Sequence, residues 1–179
     1  MRRINPVENV CKKGDAGLKT LIVFVTKNGT TEECAQRLRE RLGREDTDLL
    51  NLRVQKLPDF DAYDCIILGS YIHYGHIGKR LKHFIALHKE MLLEKKLGIY
   101  LCKGFPIDRM DPFEENFGKK ILKHTVVRDC FGGILNPSKL KGKEKKLANM
   151  VLDASAAQNL DAPKLCDERI ERFAAALLK

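Results

Sequence analysis

Five strand-like runs recur along the chain, of which the second is weaker, and each has the length of a single β-strand. They occupy residues 20–26, 48–54, 64–70, 97–103 and 125–131. Runs that are continuously apolar, rather than alternating with polar residues, are typical of strands buried on both faces of a parallel sheet. The pattern therefore predicts five strands that share one parallel sheet.

Helical patterns fill the gaps between these runs, because apolar residues recur there every three or four positions, as in helices that bury one face. The patterned stretches are residues 35–42, 81–92, 113–121 and 170–177. The gap 55–63 is short and contains Pro58, so we expect little or no helix there. Strands that alternate with helices predict an α/β fold, with a doubly wound sheet and helices on both faces.

Two segments lie outside this alternation. Residues 1–17 are basic and lack an apolar core, which indicates a mobile N-terminal extension and no secretion signal. Residues 136–163 form a long insert between the last strand and the last helix, of the kind that is either functional or disordered. We therefore expect one domain over residues 18–179, without an apolar stretch of the ~20 residues that span a bilayer.

The net charge of +9 favours acidic partners, such as a carboxylate-bearing substrate or an anionic membrane. Nucleic acid is disfavoured as a partner, because the chain has no tryptophan, few other aromatic residues and no nucleic-acid-binding motif. The six cysteines include no C-x-x-C pair, which argues against a metal site. Reduced thiols in the cytoplasm are the simplest interpretation.

The turn after the first strand has the composition of an anion-binding loop. Residues 26–31, TKNGTT, lead from a buried run into a helix that begins near Thr31. The N–H groups of a helix N-terminus bind phosphate, hydroxyl and amide side chains add donors, and glycine permits close approach of the backbone. An ordinary helix cap, with Glu32 and Glu33 in the first turn, explains the same residues without a ligand. The loop matches neither the P-loop nor the dinucleotide-binding pattern.

The end of the third strand carries a second candidate binding loop. Residues 69–78, GSYIHYGHIG, combine three glycines with two tyrosines and two histidines. Ligands of open α/β sheets bind beyond the carboxyl ends of the strands, and tyrosine rings there can face a planar ligand. The alternative is a structural turn with packed tyrosines.

Both segments resemble a known family. Residues 26–31 resemble the phosphate loop of the flavodoxin-like proteins, with Asn28 in place of a usual threonine. Residues 63–76, YDCIILGSYIHYGH, resemble one branch of that family, the menaquinone-dependent protoporphyrinogen IX dehydrogenases. The resemblance extends from about Leu18 to Leu178. It implies an FMN-binding flavodoxin-like fold, with a five-stranded parallel sheet in the order 2-1-3-4-5.

By position, the resemblance implies three loops around FMN. The phosphate would be held by Thr26, Lys27, Asn28, Gly29, Thr30 and Thr31, the isoalloxazine ring by Ser70, Tyr71, Ile72, His73, Tyr74 and Gly75, and the ring's other side by Lys103, Gly104 and Phe105. His73 and His76 are catalytic candidates for proton transfer, since imidazole titrates near neutral pH. Lys103 and Arg109 are candidates for contact with the propionates of a porphyrinogen.

The activity that the resemblance implies is FMN-dependent oxidation of protoporphyrinogen IX in heme biosynthesis, with a quinone as electron acceptor. The insert 136–163 would contact an anionic membrane, and its basic and apolar residues are Lys139, Lys141, Lys143, Lys145, Lys146, Leu147, Met150, Val151 and Leu152. We therefore expect the protein in the cytoplasm, at the inner face of the membrane. A solvated loop with one packed helix is the alternative for the insert.

Three other functions stay open at this point. A flavodoxin-type carrier of electrons between proteins usually has an acidic rim, which a net charge of +9 does not favour. A soluble NAD(P)H:quinone reductase would need a pocket for nicotinamide. A decayed flavin site is suggested only by Asn28, which still donates a hydrogen bond.

Overall fold

The structure, a computed structural model, describes residues 17–103, 111–158 and 162–179. In chain order its elements are β1 (Thr20–Phe24), α1 (Thr30–Leu42), β2 (Thr47–Asn51), β3 (Cys65–His73), β4 (His76–Ile77), α2 (Lys79–Leu87), α3 (Lys89–Glu94), β5 (Lys96–Cys102), α4 (Pro112–Asn116), α5 (Lys119–His124), β6 (Val127–Cys130), α6 (Gly142–Ala157) and α7 (Asp167–Leu177). Short 3₁₀ helices lie at Phe60–Ala62, within the gap expected to hold little helix, and at Pro137–Lys139.

Five of the strands form a parallel sheet in the order β2-β1-β3-β5-β6. The predicted order 2-1-3-4-5 is confirmed, because the additional strand β4 pairs only with β3 and runs antiparallel to it. The direction of strand order reverses between β1 and β3. The loops that follow these two strands therefore diverge and leave a crevice at the carboxyl edge of the sheet.

Helices cover both faces of the sheet, and this explains why the central strands are largely apolar. Successive side chains of a strand point to opposite faces, so Val23 and Leu68 belong to the core cluster beside α2–α5. Ile22 and Ile67 belong to the opposite cluster beside α1 and α7. On α7 the predicted apolar face is confirmed, because Ile170, Phe173, Ala174 and Leu177 are all buried.

Two of the predicted helical stretches are interrupted. Residues 81–92 form α2 and α3, separated by His88, whose ring packs 4.7 Å from that of Phe84 and 5.2 Å from that of Phe60. Residues 113–121 divide in the same way at Phe117, which takes an extended conformation between α4 and α5. The apolar spacing nevertheless predicted which residues are buried, because buried residues lie in the helices on both sides of each break.

The segment after the third predicted strand is a hairpin rather than a loop. The third strand was predicted to end at Ser70, but β3 continues to His73 and returns as β4. Tyr74 and Gly75 connect the two strands, both with positive φ, of 50° and 79°. A two-residue turn of this kind matches the twist of paired strands, which is why the chain reverses there.

Candidate functional site

A cleft of about 270 Å³ opens at the carboxyl edge of the sheet, where the strand order reverses. Its walls come from the loop after β1, the β3–β4 hairpin, the end of β5, the segment after β6 and the start of α6. The lining residues are Lys27, Asn28, Thr30, Tyr71–Gly75, Cys102, Lys103, Gly133–Leu135, Leu140, Glu144 and Leu147. The two segments singled out in the sequence therefore face each other across one cleft.

The loop after β1 presents unpaired backbone donors at the start of α1. Gly29 precedes the helix with φ of 92°, and its N–H donates to Oγ1 of Thr26 at 3.0 Å. Among the described residues, the N–H groups of Thr30, Thr31 and Glu32 have no hydrogen-bond acceptor, and the helical pattern begins with the N–H of the following residue. Such a group of donors, at the positive end of the helix dipole, is suited to an anion.

A buried tyrosine fixes the start of α1 to the sheet. The hydroxyl of Tyr100, on β5, donates to the carbonyl oxygen of Thr31 at 2.9 Å, and burial raises the pKa of Tyr100, so the donor stays protonated. The ring fits only because residue 69 is glycine, where a Cβ would lie 2.2 Å from it. Gly69 therefore serves packing, whereas the sequence suggested a role in a ligand loop.

Ser70 lies behind the cleft rather than in its lining. It is fully buried, its Oγ accepts the N–H of Gly78 at 3.0 Å, and its hydroxyl donates to the carbonyl of Tyr71. Tyr71 to Gly75 line the cleft. The ring of Tyr74 is 76% exposed and stands edge-on to that of His73, at 4.4 Å, so it presents an aromatic surface to the cleft.

Asn116 holds the hairpin in place, a role that the sequence did not reveal. Its Nδ2 donates to the carbonyl oxygen of Gly75 at 2.7 Å, and its Oδ1 accepts the N–H of Ile77 at 3.0 Å. The contacts join the last residue of α4 to both sides of the turn. No local pattern could have predicted them, because about 40 residues separate the partners in the chain.

Glu144, in the insert, joins the two loops of the cleft. Its carboxylate lies 2.8 Å from Nζ of Lys27 and 2.7 Å from Nε2 of His73, and these two nitrogens are 3.1 Å apart. Hydrogen bonds from Lys27 and then His73 hold the pKa of Glu144 below its ordinary value. Glu144 was not among the residues singled out in the sequence, because its only signal is one acidic residue within a lysine-rich stretch.

The rest of the insert places an apolar wall beside this contact. Nζ of Lys139 donates to the carbonyl of Asn28 at 3.4 Å, and the side chains of Leu140 and Leu147 line the cleft. The first part of the insert therefore lies across the cleft. Within the described residues, none of the helices combines the length and apolar character needed to cross a membrane.

Of the remaining predicted site residues, some line the cleft and others do not. Lys103 lines the cleft at the end of β5. Thr26 and Thr31 are buried, and they, Gly29 and the exposed His76 are not among the lining residues. Gly104, Phe105 and Arg109 lie outside the described residues.

Two buried thiols lie close together at this end of the sheet. Sγ of Cys102 is 3.4 Å from Sγ of Cys34, and a hydrogen bond with Cys34, together with burial, raises the pKa of Cys102. A thiol with a raised pKa is a poor nucleophile. In the described part of the chain, no three His, Cys, Asp or Glu residues are grouped to hold a metal ion.

A five-stranded parallel sheet with a loop rich in free N–H donors, residues 26–31, after its first strand and a tyrosine-bearing hairpin after its third is typical of a flavodoxin-like α/β protein. Residues 21–160 match the family described as the flavodoxin domain, and the chain belongs to that family. Members of this family are flavoproteins, and FMN is the cofactor.

The chain is also similar to named proteins. It is 32% identical to protoporphyrinogen IX dehydrogenase [quinone] of Escherichia coli over 116 residues, which are 62% of this chain and 64% of that enzyme, so less than two thirds of the curated relative is covered. An oxidised flavodoxin from Bacillus cereus superposes with a TM-score of 0.53 at 16% identity, over 88% of this chain and 95% of that one. A flavodiiron core from Synechocystis gives a TM-score of 0.52 at 15% identity, over 90% of this chain and 36% of that one. The structural likenesses establish the fold.

Proposed function

We propose that the protein is an FMN-dependent oxidoreductase that oxidises protoporphyrinogen IX and passes the electrons to a quinone. The observation that carries this proposal is the 32% identity to an enzyme of that name. The matched branch motif, residues 63–76, includes most of the β3–β4 hairpin, and that hairpin lines the cleft. Three features of the cleft support the proposal. They are the loop of residues 26–31 with its free N–H donors, the β3–β4 hairpin with its tyrosine rings, and the apolar wall.

The residues present fit FMN. The phosphate would lie at residues 26–31, where three backbone N–H groups lack acceptors and where a Cβ on Gly29 would meet only the tip of Lys139, at 3.8 Å. The flat ring would lie against Tyr71 to Gly75, with Lys103 on the side of β5. Bound FMN supplies transfer of two electrons at a time, and the protein positions the ring and tunes it.

The cleft also fits a large, flat molecule that carries carboxylates. Its wall from the segment after β6 and from the insert is apolar, formed by Ile134, Leu135, Leu140 and Leu147. Lys27 and Lys103 bring positive charge to the same cleft, where Lys27 is paired with Glu144. A porphyrinogen combines an apolar macrocycle with propionate groups, so both features have a counterpart in the proposed substrate.

Proton transfer is proposed for His73. Oxidation of a porphyrinogen removes protons together with electrons, and an imidazole can accept and release a proton near neutral pH. His73 lines the cleft, and its Nε2 lies 2.7 Å from Oε1 of Glu144, a carboxylate that can stabilise the protonated ring. His76 is a second candidate, but its exposed position outside the lining favours His73.

Contact of the insert with an anionic membrane is part of the same proposal. On α6, Leu147 and Met150 are 41% and 61% exposed, beside the lysines at positions 141, 143, 145 and 146. Exposed apolar side chains beside basic ones are what an interfacial helix needs. Flotation with anionic and neutral vesicles tests the idea, and equal recovery with both would contradict it.

The experiment for the activity is an anaerobic visible spectrum of the FMN-loaded protein, before and after addition of protoporphyrinogen IX. We expect the flavin absorbance to bleach, porphyrin bands to grow, and turnover to resume when a menaquinone analogue is added. A flavin that porphyrinogen leaves oxidised would contradict the proposal, and reduction by NAD(P)H or by a redox protein would then identify a quinone reductase or an electron carrier. Failure to bind FMN would contradict the assignment of residues 26–31.

A further inference from the structure

We infer that Glu144 is a positioning residue that holds α6 across the cleft and thereby slows the release of the bound cofactor. This inference rests on the proposed function, since it concerns the same cleft. The observation behind it is the simultaneous contact of one carboxylate with the loop after β1, through Lys27, and with the β3–β4 hairpin, through His73.

The contact is long-range in the chain. Glu144 is 117 residues from Lys27 and 71 residues from His73, so it joins three segments that the sequence does not bring together. Both carboxylate oxygens accept from Nζ of Lys27, at 2.8 and 3.0 Å. Two hydrogen bonds to one cation fix the direction of the glutamate side chain more firmly than a single contact does.

Few other contacts hold α6 in its position. Of its sixteen residues only Ala148 is buried, whereas the shorter α7 buries four residues. A helix with so little buried apolar surface gains little from the hydrophobic effect. The contacts of Glu144 with Lys27 and His73 are therefore expected to contribute to the free energy that keeps α6 beside the cleft.

The environment of these pairs is partly shielded from water. The side chains of Lys27 and Glu144 are 37% and 29% exposed, so the attraction between their charges is stronger than between two fully solvated charges. The side chain of His73 is 38% exposed. The pKa of Glu144 is lowered by the same contacts, which agrees with a carboxylate that stays charged at neutral pH.

The consequence for the cleft follows from the helical spacing. Glu144, Leu147 and Ala148 occupy one face of α6, because residues three and four positions apart are neighbours on a helix. When Glu144 holds this face against the two loops, Leu147 closes the apolar wall and Ala148 is buried. A ligand between the loops is then covered on the side that would otherwise open to solvent.

The test compares Glu144→Gln with Asp153→Asn. The second variant is a matched control, because Asp153 carries the same charge on the same helix, is exposed and has no partner among the described residues. FMN release is followed from the return of flavin fluorescence after dilution of the loaded protein. For a partly exposed ion pair we expect release about threefold to fivefold faster in Glu144→Gln, and an unchanged rate in Asp153→Asn.

A second readout uses the protein without cofactor. Deuterium exchange of the amides of α6 is expected to be faster in Glu144→Gln than in the wild type or Asp153→Asn. Equal release and equal exchange in all three proteins would overturn the inference. Slower release from Glu144→Gln would also overturn it, since the carboxylate would then act by repelling the FMN phosphate.

The two readouts separate this inference from the proposed function. If the wild type binds no FMN, the assignment of the cofactor site fails, while exchange in α6 still tests whether Glu144 holds the helix. If the wild type binds FMN and oxidises no porphyrinogen, the rate of FMN release still decides the role of Glu144.

Discussion

The hydroxyl of Tyr100 donates a hydrogen bond of 2.9 Å to the carbonyl oxygen of Thr31. Tyr100 lies on the central part of β5 and Thr31 in the first turn of α1. This contact therefore fixes the loop of residues 26–31 to the sheet. Both residues are buried, and the tyrosine ring stacks on that of Phe131 with centroids 5.0 Å apart. The position of the loop is therefore set by a side chain that does not line the cleft.

Tyr100→Phe removes the hydrogen bond to Thr31 and is expected to make the loop of residues 26–31 more mobile, while the stacked aromatic ring stays in place. Loss of one buried hydrogen bond should lower the free energy of unfolding by about 1 kcal/mol, measured by urea denaturation, and FMN should bind more weakly. Tyr63→Phe is the matched control, because the hydroxyl of Tyr63 donates to Asp48 at 2.9 Å. That change should lower stability without affecting FMN affinity, and equal affinities in both variants would contradict a role for Tyr100 in the loop.

Gly29→Val is expected to abolish FMN binding. The residue has φ of 92°, a conformation that costs a residue with a Cβ about 1–2 kcal/mol and more when the side chain is branched. Gly118→Ala is the control, since Gly118 has φ of −65° and a Cβ there would meet nothing within 4 Å. Titration of apoprotein with FMN, followed by fluorescence quenching, measures both. Normal affinity in Gly29→Val would exclude residues 26–31 as the phosphate site.

The sheet could be predicted from the sequence because burial on both faces favours apolar residues along the central strands. The run 64–70 showed this directly, and the strand order, which the family resemblance implied, is confirmed. The hairpin could not be predicted, because its turn places a tyrosine at positive φ, where asparagine or glycine is the usual signal. His88 and Phe117 interrupt helices without disturbing the apolar spacing, so periodicity alone could not reveal the breaks.

The segments that line the site could be predicted from the sequence, but the contacts between residues far apart in the chain could not. Residues 26–31 and Tyr71 to Gly75 could be singled out because their composition is unusual for a strand end. The structure places Lys27, Asn28 and Thr30 in one cleft with Tyr71 to Gly75. Glu144 and Asn116 act through partners that are tens of residues away, and a single sequence carries no signal for such pairs. Ser70 had the right neighbours in the motif, but its register on β3 directs the hydroxyl to Gly78 instead of the cleft.

The contacts through which Glu144 keeps α6 beside the cleft are expected to weaken at acidic pH. Its pKa in the folded protein lies below the ordinary value, so the contacts with Lys27 and His73 stabilise the docked helix at pH values above that ordinary pKa. The stabilisation is lost as the pH falls through the lowered value, where the carboxylate becomes protonated. Deuterium exchange of α6 should therefore differ between wild type and Glu144→Gln at neutral pH and become equal in acid. A difference that is the same at every pH would contradict a charged contact.

Asn116 offers a test of the hairpin that separates its two hydrogen bonds. Asn116→Asp keeps the oxygen that accepts from Ile77 and loses the amide that donates to Gly75, whereas Asn116→Ala loses both. If the carbonyl of Gly75 must be held for the flavin ring to bind, both variants should bind FMN more weakly, by about fivefold to tenfold for loss of a buried hydrogen bond. Affinity measured by fluorescence titration, with Tyr63→Phe as the control for stability alone, gives the comparison. Weakening confined to Asn116→Ala would instead assign the effect to the contact with Ile77, and the hairpin would then be held through β4 rather than through its turn.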